Sequence, residues 1–189
     1  MHAPVFDTLM TERLVLRHFR EADAAALSAY RSDPLVAEYQ AWGPSFSEEQ
    51  ALALIRAMRD RQPGQPGWFQ FAVATRDSGA LIGDIGWRSF EVRHAEVGFS
   101  IMSSMHGKGY AREAVAALLT FAFQRLKVHR VVANTDPRNL PSARLLRRLG
   151  FRHEGRALES YFDGSVWLDD DQYALLAREW SAAHAPGHA

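Results

Sequence analysis

Between His106 and Ala111 the chain reads His-Gly-Lys-Gly-Tyr-Ala, and here the residue types first specify chemistry. Before this turn Val97, Phe99 and Ile101 alternate with Glu96, Gly98 and Ser100, the two-residue period of a strand. After it Ala111, Val115, Leu118, Leu119, Ala122 and Leu126 recur with helical spacing, while Glu113, Thr120, Gln124 and Lys127 mark the other side. A helix start leaves backbone N–H groups unpaired and carries the positive end of the helix dipole. Glycines just ahead of it let a ligand come close to the backbone. Strand, glycine turn and helix start in this order predict a cradle for phosphate. Two familiar phosphate loops are excluded by spacing. Lys108 alone separates the two glycines and Tyr110 follows them, so the P-loop pattern fails; Arg112 stands where the dinucleotide fingerprint needs its third glycine.

The elements that must position this turn are legible in outline. Leu14, Leu16 and Phe19 predict a first strand, and Glu21 to Arg31 a short helix that ends before Pro34. Pro34 to Pro44 reads as irregular and aromatic. Ser47-Glu48-Glu49-Gln50 fits a capping box, with Ala51, Leu54, Ile55 and Met58 as the buried stripe of the helix behind it. Gln62 to Gly67 is a loop. Trp68 to Thr75 alternates, Phe69, Phe71 and Val73 facing one way and Gln70, Ala72 and Ala74 the other. After the turn at Asp77-Ser78-Gly79, Ala80 to Phe90 returns as a strand in which Gly83 and Gly86 imply bulges or a close backbone approach. Arg130 to Thr135 is a short strand, Ser142 to Leu149 a short helix, and Asp163-Gly164 a hairpin turn between Phe151–Phe162 and Val166–Leu176. The order of elements predicts an α+β fold with a mixed, mainly antiparallel sheet and helices on both faces. One domain is expected over residues 1–189, with a frayed tail at 181–189.

Lys and Arg balance Asp and Glu at 22 each, so no general field attracts nucleic acid, and no apolar run is long enough to span a membrane. With no cysteine there is no disulfide, thiolate nucleophile or Cys-based zinc site, and the histidines show no metal-ligand spacing, so no metal is expected. The N-terminus lacks a signal-type apolar core, which favours the cytoplasm.

The glycine turn resembles the acetyl-CoA pyrophosphate loop of the GNAT N-acetyltransferases, whose pattern Q/R-x-x-G-x-G/A aligns with His106 to Ala111. Gly109 and Ala111 fit it, and His106 stands in place of the usual Gln or Arg. Asn139 to Phe151 resembles the N-x-x-S-x-x-L-x-x-x-x-G-F segment of the RimJ/RimL-like branch, and Thr11 to Arg17 its opening T-x-R-L-x-L-R. Gly164, Trp167 and Asp169, followed by Tyr173 and Leu175, are similar to its last hairpin, so the resemblance runs over about residues 11 to 180.

That resemblance implies an acyl-CoA-dependent N-acetyltransferase in which an amine attacks the thioester of acetyl-CoA directly, without a covalent enzyme intermediate. The acceptor would be a protein N-terminal α-amine or a small-molecule amine, and a homodimer is expected. The chemistry needs a proton removed from the ammonium and one delivered to the leaving thiolate. Glu96 is the candidate base: it shares a face with Gly98 and Ser100, away from the core face of Val97, Phe99 and Ile101. Ser142 is the candidate acid, or alternatively a helix cap, and Asn139 the candidate partner for the pantetheine amides. Phe99, Ser100, Ile101, His106, Gly107, Lys108, Gly109, Tyr110 and Ala111 complete the implied cofactor-binding set, with Lys108 either near a phosphate or in solvent. Trp42, Trp87 and Tyr161 are candidate walls of the amine pocket, or core. The competing reading is a CoA-binding sensor or regulatory module without catalysis.

Overall fold

The computed structural model describes residues 5–40, 42–43, 45–90 and 92–184. Its centre is an eight-stranded sheet: β1 (Thr8–Met10), β2 (Leu14–Arg17), β3 (Gly67–Thr75), β4 (Leu81–Phe90), β5 (His94–Ile101), β6 (Arg130–Thr135), β7 (Arg152–Phe162) and β8 (Trp167–Leu176), in the order β1-β2-β3-β4-β5-β6-β8-β7. All neighbouring strands run antiparallel except β5 and β6. A parallel neighbour requires a crossover, and helix α4 (Tyr110–Gln124) supplies it. The α+β arrangement expected from the sequence is the one observed.

Alternation along β3 assigns the two faces. Phe69, Phe71 and Val73 join a cluster with Val115, Leu118 and Leu119 of α4 and with Ala143 and Leu146 of α5 (Leu140–Arg148). Ala72, between them in sequence, joins the opposite layer with Leu27 of α1 (Ala24–Arg31) and Ala51 and Ile55 of α3 (Glu48–Met58). The capping box holds: Ser47 Oγ accepts from Gln50 N at 3.1 Å, and Gln50 Oε1 from Ser47 N at 2.7 Å. Gly83 marks a close approach, since a Cβ there would lie 2.3 Å from the carbonyl oxygen of Ser100. A register shift in β3, between Val73 and Ala74, faces it.

Three elements differ from the sequence reading. β1 precedes the expected first strand, and three residues are too few to carry a period. Within the stretch read as irregular, α2 (Pro34–Ala37) forms one turn, begun by Asp33, whose side chain accepts from Leu35 N. α6 (Ala177–Ala183) continues through the tail expected to fray, with Trp180 buried against the core; residues 185–189 of that tail lie outside the described residues.

Two buried ion pairs tie the helical layer to the sheet. Arg17 meets Asp23 through two bonds of 2.7 and 2.9 Å. Asp84 on β4 receives Arg31 Nη2 at 2.5 Å and the hydroxyl of Tyr30. Burial, and then the Asp84 charge, push the Tyr30 hydroxyl well up, so it remains protonated and donates. The Arg31 guanidinium also lies 4.1 Å from the ring centre of Trp42 and 4.9 Å from that of Phe46. These contacts set α1 and the following loop against the end of β5, because Asp84 stands opposite Ser100.

Candidate active site

The parallel pair β5–β6 is short. His94, Ala95 and Glu96 pair with Arg130, Val131 and Val132, and the pairing ends there. β5 continues to Ile101 bonded to β4 alone, while β6 continues to Thr135 bonded to β8. The two strands therefore part after Glu96, leaving the β6-facing edge of Val97 to Ile101 without a strand partner. A cleft of about 750 Å³ opens over this gap. Phe99, Ser100 and Ile101 line it from β5, Leu35 and Tyr39 from α2 and the residues after it, and Asn139, Ser142 and Arg148 from α5 and its cap.

The glycine turn forms the mouth of the cleft. Gly107 and Gly109 take φ of 74° and 82°, the left-handed region that favours glycine. Gly109 is the N-cap residue of α4 and has no side chain to satisfy the helix start. No N–H group from Gly107 to Arg112 is taken up by an acceptor among the described residues; the first bond of the turn runs from Glu113 N to the Gly109 carbonyl at 3.1 Å. Unsatisfied donors at the positive end of a long helix are suited to an anion. His106 stabilises the turn from the inside. Its Nε2 lies 2.7 Å from the Ile101 carbonyl oxygen, which only accepts, so Nε2 carries the proton in this bond. Lys108 reaches the sulfur of Met105 at 3.7 Å and does not line the cleft.

α5 begins two residues earlier than its sequence suggested, which moves Ser142 from the helix start into its first turn. The cap is Asn139, whose Oδ1 accepts from Ser142 N at 3.1 Å. Ser142 stands in the first turn with its hydroxyl uncommitted among the described residues, and it lines the cleft beside Asn139.

Glu96 lies where the strands part. Asn134 Nδ2 is 3.4 Å from its Oε1, and Arg88 Nη1 is 3.5 Å from its Oε2. It does not line the cleft; it sits on the sheet face that carries Gly86 and Gly98, which are directly opposite one another. A Cβ at Gly98 would meet nothing within 4 Å, whereas one at Gly86 would lie 3.3 Å from the side chains of Gln70 and Trp68, so the face is open beside the carboxylate at Gly98 alone of the two. On the same sheet, burial, then Asp136 and Asp171, push the Asp170 carboxyl up.

The expected aromatic walls are not brought to the cleft. Trp87 is a correction: it is 0% exposed, packed in the core with its Nε1 on Ser89 Oγ at 3.1 Å, and walls no pocket. Its place in β4 alternates with Gly86 and puts it on the core face. Trp42 is half-buried against Arg31 and donates to the Arg31 carbonyl at 3.1 Å, and Tyr161 is half-buried on β7; neither lines the cleft. Tyr39, which does line it, went unnamed in the sequence because the one-turn helix just before it was unread. Among the described residues no group of His, Asp and Glu gathers to hold a metal ion.

The model of the acetyltransferase (GNAT) domain matches residues 13–152. The chain belongs to the GNAT acetyltransferase family. It is 33% identical to the N-acetyltransferase YnaD of Bacillus subtilis over 174 residues, covering 92% of this chain and 99% of that one. It is 30% identical over 185 residues to the [ribosomal protein uS5]-alanine N-acetyltransferase of Escherichia coli, with 92% of each covered. The crystal structure of a GNAT acetyltransferase from Bacillus anthracis superposes with a TM-score of 0.82 at 31% identity, over 91% of this chain and 99% of the other. The RimJ-like resemblance of the opening and of the α5 segment is thus matched across the GNAT domain. No helix among the described residues is long and apolar enough to cross a membrane.

Proposed function

We propose that this chain transfers the acetyl group of acetyl-CoA to a primary amine, a protein N-terminal α-amine or a small-molecule amine, by direct attack in a ternary complex. The observation that carries the reading is the run of unsatisfied N–H groups from Gly107 to Arg112 at the mouth of a gap that closes at Glu96. In this reading those N–H groups hold the pyrophosphate. The unpaired edge of β5 and the Asn139 side chain flank the pantetheine arm, and the thioester reaches the point where the strands part.

The amine then approaches from the open face over Gly98, where Glu96 takes its proton, directly or through one water. Ser142, with its hydroxyl free, gives a proton to the departing thiolate. Gly98 leaves room for an amine, and the Glu96 carboxylate beside it suits an acceptor that arrives as a cation. The relative that acts on the alanine of ribosomal protein uS5 makes a protein N-terminus the first acceptor to try.

The test is thiol release from acetyl-CoA with a panel of N-terminal peptides and small amines, alongside calorimetric titration with CoA. Turnover with at least one amine is expected. CoA binding with no release across the panel would instead make this a binding module, and no CoA binding would remove the reading altogether.

A further inference from the structure

The glycine turn is flexible by composition, since glycines lose the most conformational freedom when ordered. Something must fix its direction, and the residues that do so come from a segment about a hundred positions earlier. Glu113, in the first turn of α4, receives Thr11 Oγ1 at 2.5 Å, Arg13 N at 2.9 Å and Arg13 Nε at 2.7 Å, with Arg13 Nη2 2.6 Å from its Oε2. The remaining guanidinium nitrogen, Nη1, donates to the carbonyl of Lys108 at 3.0 Å. The Arg13 side chain also lies over the Tyr110 ring, 4.4 Å from its centre, and its Nη2 is 3.4 Å from where a Cβ on Gly109 would be. None of Thr11, Arg13, Lys108 or Glu113 lines the cleft. The guanidinium therefore stands behind the turn, on the side away from any ligand.

We propose that Thr11, Arg13 and Glu113 form a clamp that sets the pyrophosphate loop, with Arg13 as a positioning residue for acetyl-CoA. This rests on the acetyl-CoA reading above. The Lys108 carbonyl is what the clamp controls. An oxygen turned into the cleft would repel a phosphate; held by Arg13, it is turned away and the N–H groups that follow are left to the ligand. Glu113 anchors the guanidinium from the helix itself, so loop and helix start move as one piece. Partial burial pushes the Glu113 carboxyl up, but the bonds from Thr11 and Arg13 outweigh it and hold it below its ordinary range. Glu113 is therefore ionised near neutral pH, as its anchoring role requires.

Glu113→Gln separates this clamp from a simple effect of charge. Removing a negative charge near the loop would tighten binding of an anion if only the field mattered; if the clamp matters, it loosens Arg13 and weakens binding. CoA is titrated calorimetrically into wild type, Arg13→Ala and Glu113→Gln, and turnover is measured with acetyl-CoA and with acetylpantetheine, which lacks the pyrophosphate. Both variants are expected to raise the CoA Kd on the order of ten- to hundredfold, the scale of lost charge-assisted hydrogen bonds. KM for acetyl-CoA should rise while kcat at saturation stays within about twofold, because the loss is in binding rather than in the reacting step. With acetylpantetheine, kcat/KM should not change. Wild-type or tighter CoA binding in Glu113→Gln would overturn the clamp, and so would an equal loss with both acyl donors, which marks general damage. Thr11→Val, the mildest change, repeats the measurement if the other variants do not fold. A wild-type protein that does not bind CoA would sink the acetyl-CoA reading itself, a result distinct from failure of the clamp.

Discussion

Replacing Glu96 with Gln tests the base with little disturbance elsewhere. Its two contacts, to Asn134 at 3.4 Å and Arg88 at 3.5 Å, are long, and the Arg88 side chain is 48% exposed. Such a pair contributes less than about 1 kcal/mol, so the variant should fold and melt much like wild type. Glu96 is also off the cleft, so CoA affinity should not move. What changes is deprotonation of the amine. An amine with a lysine-like pKa of about 10.4 is neutral in roughly one molecule in 2,500 at pH 7, and an α-amine with a pKa of about 8 in roughly one in ten. A positioned base contributes on the order of 10²–10⁴ in rate. The expected result is a fall in kcat of that size near neutral pH. The deficit should shrink as pH rises toward the amine pKa and should be smaller for an α-amine than for a lysine-like one. Turnover is followed by thiol release over a pH series with a verified acceptor. Wild-type kcat with a wild-type pH profile would refute Glu96 as the base.

Outcomes for five further variants follow from the geometry. Gly109→Val places a β-branched residue at φ 82°, with its Cβ 3.4 Å from Arg13 Nη2; left-handed backbone costs an ordinary residue about 1–2 kcal/mol, so the turn should rearrange and calorimetry should show CoA affinity lost in a folded protein. Asp84→Asn leaves Arg31 buried without its counter-charge, a change worth about 3–5 kcal/mol and a drop in Tm on the order of 10 °C by calorimetry. Ser142→Ala should keep its stability, because Asn139 is the cap, and lose turnover; Asn139→Ala should cost about 1 kcal/mol in urea unfolding as well as weakening CoA. Glu154, between Arg130 and Arg152, has its carboxyl held down to about 2 by these partners. Its folded pKa lies below the unfolded one, so its contribution is present above the unfolded pKa and is lost as pH falls through the window between them. Urea unfolding near neutral pH and at about pH 3 should therefore differ less in Glu154→Gln than in wild type.

Where a local pattern carries the structure, the sequence was enough. The limits of β6, the hairpin turn at Asp163-Gly164, the Ser47–Gln50 capping box and the alternation of β3 each depend on neighbours along the chain. The turn at Asp163 shows the cause: its Oδ1 accepts from Ser165 N at 2.7 Å and Val166 N at 2.8 Å, bonds made within four residues. What stayed hidden was set by distant partners. Trp87 looks the same in sequence whether it walls a pocket or fills the core, and only the sheet decides. Ser142 suited a helix cap in sequence, but the helix starts two residues before it and Asn139 is the cap, a placement only the backbone decides. Arg13 and Glu113 belong to different patterns, an opening strand motif and the polar side of a helix. No spacing rule links them, and they meet because β1, β2 and α4 pack together.

The position of the site follows from one departure in topology. An antiparallel neighbour can be reached by a short turn, as β3 leads into β4 and β4 into β5. The parallel placement of β6 beside β5 forces the chain to leave the end of β5, cross the face in α4 and return. The start of α4, with its unsatisfied N–H groups, must then lie just beyond the end of β5. The same parallel pair is flanked by antiparallel partners, β4 on one side and β8 on the other, which draw the strands in different directions once their pairing ends at Glu96 and Val132. The glycine turn, the open strand edge and the carboxylate thus follow one another along β5 and its exit, with Glu96 where the pairing ends and Gly107 beyond Ile101. Sequence enters at three points: glycines where the turn bends, Gly98 where an acceptor would need room, and a glutamate where the strands part. In the proposed reading, a chain with this topology but alanine at Gly107 and Gly109 would keep the gap, and with it the place for an acyl donor, yet lose the loop conformation that orients the phosphates. That separates the two contributions: the crossover creates the cleft, and the turn residues, held from behind by Arg13, decide what it binds.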